Sequence, residues 1–571
     1  MKTRYIVPLL LFCLFACMAC EDDKTEMPRL FRPSFIASSC FAEDNTITLA
    51  WRTSGEATSY TVELSQDATF QSEKLETQTV EHGKCVFTNL RYETKFYARV
   101  RANNESLAIT SNWTEMGSSI STLSRTIPKI LYAVEGSRIS ETSVEIKWVV
   151  SEKNPVDGLA IWEEGTTEER QISLENASAG QYTITGLTPR TTYYVALTNS
   201  AAPEGAEKYN QQRFTTAGMP ADAVVVEDGV DLMDKIKAGM TDASKQALVF
   251  QLKNGVDYYL TAGGEVAAKT GDIKLTKSIA LLANPGERPT LYIREGCFNV
   301  KPESGNMPDI EYFVVDNVNI KETWTDSKPS KGSKTRLLNI GKHDAGTDFT
   351  IDRFEITNSD IVLPSAVLMM SDASEGVTTI NHIRIDNCLV SGINTSAVTK
   401  QFGFIHAINK GSNVWNDVSV TNSTFYEFYI SPGVFGAPTA NVPIAAGNKV
   451  VISNCTFYTW GSNKDGKNTY RAVGNFSKLT APLNLSVNNC VFGSSESKVL
   501  DAGGINLDSK GNYCTSDFEK MSDAGLTLIS LDTDDASLFR NIEENDFTVI
   551  DAESVIYKSE YGDPRWITVL D

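Results

Sequence analysis

Val420-Thr-Asn422-Ser-Thr-Phe425, Ile452-Ser-Asn454-Cys-Thr-Phe457 and Val487-Asn-Asn489-Cys-Val-Phe492 are copies of one pattern: aliphatic, polar, Asn, any, any, apolar. Three earlier copies read Val315-Asp-Asn317-Val-Asn-Ile320, Ile356-Thr-Asn358-Ser-Asp-Ile361 and Ile385-Asp-Asn387-Cys-Leu-Val390. Successive Asn residues stand 41, 29, 35, 32 and 35 positions apart. A short motif at an irregular period of about 20–50 residues signals stacked coils with loops of varying length. Strand alternation makes those coils β, so the pattern predicts a parallel β-helix.

The aliphatic two before Asn and the apolar residue three after it should point into the coil, the residue between them outward. Asn belongs at the corner, because it tolerates left-handed backbone and bonds locally. Coil stacking brings equivalent Asn residues about 4.8 Å apart, within reach of amide-to-amide bonding. The next position holds Val318, Ser359, Cys388, Ser423, Cys455 and Cys490, all small, as a cramped inward corner requires. These cysteines read as core filler rather than metal ligands or disulfides.

Outward from the coils, a second repeat has a single offset. Trp51, Leu90, Thr94 and Phe96 match Trp148, Leu187, Thr191 and Tyr193, each 97 residues on. A period near 100 residues with an early Trp and alternating strands fits β-sandwiches. The Leu-x-x-x-Thr-x-aromatic run of Leu90–Phe96 and Leu187–Tyr193 resembles the fibronectin type III domain. Residues 30–124 and 127–217 are expected to be two such sandwiches, acting as spacers.

The coil domain is assigned to residues 224–566. The stretch Ala247–Leu260, followed by Ile273–Gly286, resembles the opening coils of pectate-lyase-like right-handed β-helices. Asp231–Thr241, with Leu232, Ile236 and Met240 on one face, is expected to be the helix that caps the open end. The run Gly562-Asp-Pro-Arg-Trp566 resembles that of surface lipoproteins joining fibronectin-like modules to such a β-helix in gut glycan degraders. The expected fold class is thus all-β: two fibronectin type III-like sandwiches, then a right-handed parallel β-helix.

The chain of 571 residues carries a net charge of −20, which argues against non-specific nucleic-acid binding. Lys2 and Arg4 precede an apolar run from Tyr5 to Ala19, the layout of a signal segment too short to span a membrane. Residues 1–19 are read as that signal and 20–29 as an acidic linker. Cys17-Met-Ala-Cys20-Glu-Asp-Asp23 resembles a bacterial lipoprotein signal with Cys20 acylated and Cys17 the competing acceptor. The resemblance implies an outer-membrane lipid anchor facing the cell exterior, beside neighbouring glycan-uptake proteins. Beyond the signal, seven scattered cysteines make no disulfide framework, and four histidines make a His-rich metal site improbable.

Two stretches break the acidic trend. Lys321, Lys328, Lys331, Lys334, Arg336 and Lys342 lie in 22 residues with only two acids, Glu322 and Asp326, and with Trp324 among them. Lys464, Lys467, Tyr470 and Arg471 follow Trp460. Four residues past Asn stand Tyr426 and Tyr458, an outward register that predicts an exposed aromatic ladder for sugar faces. The expected ligand contacts are Tyr426, Tyr458, Trp460, Trp324, Lys328, Lys331, Lys334 and Arg336.

β-Helix lyases, by the resemblance, abstract a proton beside a uronate with Lys or Arg and neutralise its carboxylate with Ca²⁺ or basic groups. Arg384, His406, Lys410, Lys467 and Arg471 are the candidates, although His406 between apolar residues also reads as a core histidine. No EF-hand frame and no distinctive carboxylate pair stands out. The sequence therefore favours a polysaccharide-binding surface lipoprotein without cofactor. A uronate-cleaving lyase, for which Ca²⁺ is a possible cofactor, and a structural adhesin are the alternatives.

Overall fold

The computed structural model describes residues 29–261, 270–294, 296–323, 336–363, 367–372, 375–393, 403–408, 413–428, 433–436, 449–460, 471–476, 483–493, 498–501, 503, 505–519 and 525–570. It divides into two compact units. One is Met1–Arg125 with Ser200–Glu207, and the other is Thr126–Asn199 with Lys208–Asp571.

The first unit contains a β-sandwich. Thr46–Arg52 pairs with Ser34–Phe35, Phe41–Glu43 and Lys84–Phe87. In the facing sheet, Lys95–Asn104 lies between Ser59–Ser65 and Ile120–Ser121, and Glu76–Val80 forms the edge. Burial alternates strictly along Lys95–Asn104, so every second side chain enters the core. Trp51, Leu90 and Phe96 meet there.

In the second unit, Ser143–Lys147 pairs with Gln181–Thr185. They face a sheet ordered Glu169–Ser173, Gly158–Glu163, Thr192–Thr198, Lys208–Thr215. This is the same fibronectin type III-like arrangement, with Trp148 and Leu187 in the core. The copies agree in backbone detail. Glu93 (φ 48°) and Arg190 (φ 51°) both sit in left-handed conformation. Thr94 and Thr191 each donate a backbone N–H to a threonine hydroxyl, of Thr122 and Thr216.

The same unit holds the parallel β-helix. Among the described residues its pre-corner sheet has ten strands from Val224–Val226 to Ile505–Lys510, and its post-corner sheet ten from Asp257–Tyr259 to Ile529–Ser530. A third sheet has eight, from Gly271–Lys274 to Lys498–Asp501. Leu232–Thr241 is the capping helix. The Asp231 carboxylate accepts from the Asp234 N–H, while Leu232, Ile236 and Met240 are buried.

The asparagine pattern sets the register. Val315, Ile356, Ile385, Val420, Ile452 and Val487 stack in one row. Ile320, Ile361, Val390, Phe425, Phe457 and Phe492 stack in another. Phe425, Phe457 and Phe492 lie face to face at 5.0 and 5.2 Å. All six Asn residues have φ between 49° and 58°. Gly511 (φ 62°) occupies the next corner, where a Cβ would stand 2.7 Å from Asn489 Oδ1. The small residues after Asn are fully buried, and Cys388, Cys455 and Cys490 are free thiols. Burial pushes the Cys388 thiol up to about 12, so it stays neutral.

Past Ser530 the chain no longer builds coils. Residues 531–570 fold into a small cluster around Phe539, Phe547, Ile556 and Tyr557, packed on the post-corner sheet.

Candidate functional site

Two outer faces of the β-helix carry covers. Val249, Ala280, Leu282 and Val314 point outward from the pre-corner sheet and pack on Met219, Ala223 and Tyr312. Above them the second sandwich is pinned by ion pairs. Arg190 reaches Asp316 at 3.4 Å, Arg213 reaches Asp386 at 2.9 Å, and Arg384 reaches Glu164 at 3.4 Å. The fully buried Lys129 ammonium pairs with Glu560. Burial alone would raise Asp386, but Arg213 and Arg384 hold its carboxyl below the usual range. A Cβ on Gly136 would stand 2.4 Å from the Gly286 nitrogen. The second sandwich is therefore built into the β-helix and is not the spacer the sequence predicts.

The post-corner sheet is covered by residues 531–570. Phe547 lies 5.6 Å from the Tyr426 ring and 5.1 Å from the Tyr458 ring. The Tyr458 hydroxyl donates to Asp535 Oδ2 at 2.9 Å. The two tyrosines do align across adjacent strands as expected. They are half-buried under the C-terminal cluster rather than forming an open ladder. The sequence-predicted register holds; the predicted exposure does not, because distant residues supply the cover.

Gly562-Asp-Pro-Arg-Trp566 is the clasp of that cover. The Asp563 N–H donates to Thr456 Oγ1 at 3.0 Å, and Asp563 Oδ2 accepts from Thr424 Oγ1 at 2.8 Å. Trp566 Nε1–H donates to Thr424 Oγ1 at 2.7 Å. Gly562 has φ 85°, and a Cβ there would stand 2.8 Å from Thr456 Oγ1. Burial pushes the Asp563 carboxyl up to about 6, against the lowering effect of Arg565.

Between the two covers the Asn corners remain open to a cleft. Its volume is about 550 Å³, and Asn317, Asn358, Asn387, Asn422 and Asn454 form its floor. Arg190, Arg213, Arg288 and Arg565 line it, with Asp316 and Glu560. A contiguous hollow of about 440 Å³ shares Arg190, Arg213, Asp316 and Asn358. Along the floor Asn387 Nδ2 donates to Asn358 Oδ1 at 2.8 Å, and Asn358 Nδ2 to Asp316 Oδ1 at 2.8 Å. Asn422 Nδ2 donates to Asp386 Oδ1 at 2.8 Å. The expected amide ladder thus alternates with carboxylates at the preceding position.

Arg288 and Arg565 rest on this floor. Arg288 Nε donates to Asn317 Oδ1 at 3.2 Å, and its Nη1 to Asp360 Oδ1 at 2.8 Å. Arg565 Nη2 donates to Asn387 Oδ1 at 3.0 Å. Its Nε approaches Asp563 Oδ2 at 2.7 Å, a charge contact without hydrogen-bond geometry.

Three of the proton-abstraction candidates, Arg384, His406 and Arg471, fall among the described residues. Arg384 is engaged with Asp386 and Glu164 under the second sandwich. His406 is fully buried, and its Nδ1 accepts from the Gly403 N–H at 3.0 Å. Burial, helped by Arg336, lowers its pKa to about 3, so it is a neutral core histidine. Arg471 pairs with Asp501, and Arg336 donates to Asn339 Oδ1, both on the third sheet. Arg384 thus lies on the pre-corner sheet, whereas His406 and Arg471 lie on the third. Cys17, Cys20, Trp324, Lys328, Lys331, Lys334, Lys410 and Lys467 lie outside the described residues. Trp460 pairs through its backbone with Phe428, and its side chain is likewise outside them. Among the described residues no group of three His, Cys, Asp or Glu is placed to hold a metal.

Sequence reasoning missed Arg288, Arg190 and Arg565, which come from three distant segments. It also missed Tyr259 and Tyr292, which stack at 4.8 Å in the same outward column as Tyr426 and Tyr458. Their alternation with buried Tyr258 and Leu291 was the available signal.

No protein-family model matches the chain. No curated protein matches it either. Among solved structures it is similar to the FN1–FN3 domains of chicken CNTN1, at 16% identity and TM-score 0.16, over 34% of this chain and 69% of that one. It is also similar to a two-fibronectin-type-III segment of chicken tenascin, at 16% identity and TM-score 0.19, over 33% of this chain and all of that one.

Proposed function

We propose that this chain is a lipid-anchored surface protein that binds an extracellular polysaccharide in the cleft beside the Asn corners. The carrying observation is the cleft itself, where a row of amides and four arginines meet at the seam of two modules. Small-molecule sites favour such seams, at about 300–1,000 Å³. Amides offer both donors and acceptors, as an array of sugar hydroxyls requires. A row repeating at the coil spacing of about 4.8 Å suits an extended, repetitive ligand better than a compact one. The anchor is assigned to Cys20 on the strength of the signal-like N-terminus.

Affinity electrophoresis of the full mature chain against neutral and acidic polysaccharides tests the reading. Ultraviolet absorbance of unsaturated products is followed in parallel. Retardation without absorbance change is expected, and Ser559→Trp or Gln211→Trp at the cleft should abolish it while melting stays unchanged. Growing absorbance would replace binding with β-elimination. Retardation surviving both Trp variants would move the site elsewhere.

A further inference from the structure

Four arginines stand in the cleft lining, each paired with a carboxylate: Arg190 with Asp316, Arg213 with Glu164 and Asp386, Arg288 with Asp360, and Arg565 with Asp563. Arg288 and Arg565 are the two that lean on the Asn floor. They contact Asn317 and Asn387, two coils apart, on the order of 10 Å along the stack. Each is held at one edge by a carboxylate, Asp360 or Asp563, and at another by an amide. Arg288 Nη2 and Arg565 Nη1 keep donors with no partner among the described residues.

Neither Asp360 nor Asp563 lines the cleft. Both arginine side chains are partly buried, at 28% and 20% exposure, so water screens them less than fully exposed charges. A guanidinium presents its donors in a planar fork that matches a carboxylate or a sulfate, and anchoring its other edge removes much of the ordering cost. A neutral hydroxyl would satisfy single donors but could not bridge the free edges of both guanidinium groups, as the several acceptor oxygens of a carboxylate or sulfate can.

We infer that Arg288 and Arg565 clamp an anionic group of the glycan, a sugar carboxylate or a sulfate ester, above Asn358. This rests on the cleft being the glycan site and names the chemistry it selects. The glycan's hydroxyls then meet the amide row on either side, while the anionic group sets the register.

The full chain is run on gels containing polygalacturonate, chondroitin sulfate, or a neutral galactan. Retardation is expected only on an anionic gel. Arg288→Gln and Arg565→Gln should each weaken it about tenfold or more, as the loss of a charge-assisted contact implies. Lys301→Gln, exposed and away from the cleft, should leave it unchanged. Methyl esterification of the polygalacturonate or desulfation of the chondroitin identifies which anion is held. Arg565 also touches the clasp, so melting is measured for both variants, and Arg288→Gln decides if Arg565→Gln unfolds. Retardation on the neutral galactan, indifferent to Arg288→Gln, overturns the anionic clamp but keeps the glycan reading. Anionic retardation weakened equally by Lys301→Gln overturns the clamp as mere charge attraction. No retardation on any gel overturns both.

Discussion

Trp51 and Trp148 hold the same place in two copies of one sandwich, yet the charged side chains of the copies find different partners. In the first, Arg99 stacks 4.4 Å from both Phe70 and Trp113, Arg101 stacks 4.6 Å from Trp113, and Arg99 pairs with Glu63. Both of these cations find their ring and carboxylate contacts inside their own unit. In the second, Arg190 and Arg213 reach Asp316 and Asp386 on the β-helix, and Lys129 reaches Glu560. The same fold is thus a separate unit in one copy and part of its neighbour in the other. Architecture does not decide this difference; the destination of a few long side chains does.

The largest expected effect breaks the second sandwich from the β-helix. Asp386→Ala leaves Arg213 and Arg384 without their buried partner and should cost about 3–5 kcal/mol in urea denaturation. Glu63→Ala, removing the partner of Arg99 in the first sandwich, leaves Arg99 its contacts with Phe70 and Trp113 and should cost less, about 1.5–3 kcal/mol. Equal losses would erase the contrast.

Core truncations sharpen it next. Leu49→Ala and Leu159→Ala each open a fully buried site and should cost about 2–5 kcal/mol. Calorimetry should show Leu159→Ala lowering the transition in which the β-helix melts, and Leu49→Ala lowering only the other. One transition shifted by both variants would make the two units a single cooperative body.

The third effect depends on pH. Asp563 is raised from 3.8 to about 6 in the folded chain, so the folded state binds its proton more tightly than the unfolded one. Its contribution to stability is therefore full below about 4, falls as pH rises toward 6, and is flat above. Asp563→Asn lacks that fall. Its melting temperature relative to wild type should rise between pH 4 and 6, in the β-helix transition alone. A constant difference across that window would refute the clasp as its origin.

The smallest effect compares two equivalent left-handed residues. Glu93→Gly should relieve left-handed strain and stabilise the first sandwich by about 1 kcal/mol. Arg190→Gly relieves the same strain but loses the contact with Asp316, and should be neutral or destabilising. Stabilisation of both by the same amount would remove Arg190 from the seam.

Much of the coil geometry was legible because one residue type must satisfy one backbone demand at each turn. Asn at left-handed φ, an aliphatic before it and an apolar residue after it set every stacking pair from Val315 to Phe492. The site was less legible. Tyr426 and Tyr458 were placed in the correct outward column, but Phe547, about 100 residues away, covers them. Arg565 was visible only within the run Gly562–Trp566, and Arg288 carried no local signal.

By itself the sequence determined the all-β class, the two-sandwich repeat, the capping helix and the coil register. Those follow from local periodicity and from residues with narrow conformational preferences, which act within a few positions of themselves. Tertiary structure alone decided which outer faces are covered, that the second sandwich is built into the β-helix, and that Arg288, Arg565 and the Asn row share one cleft. The reason is physical: burial and charge pairing are settled by whatever segment packs opposite, and a residue's own neighbours do not encode its partner across the fold.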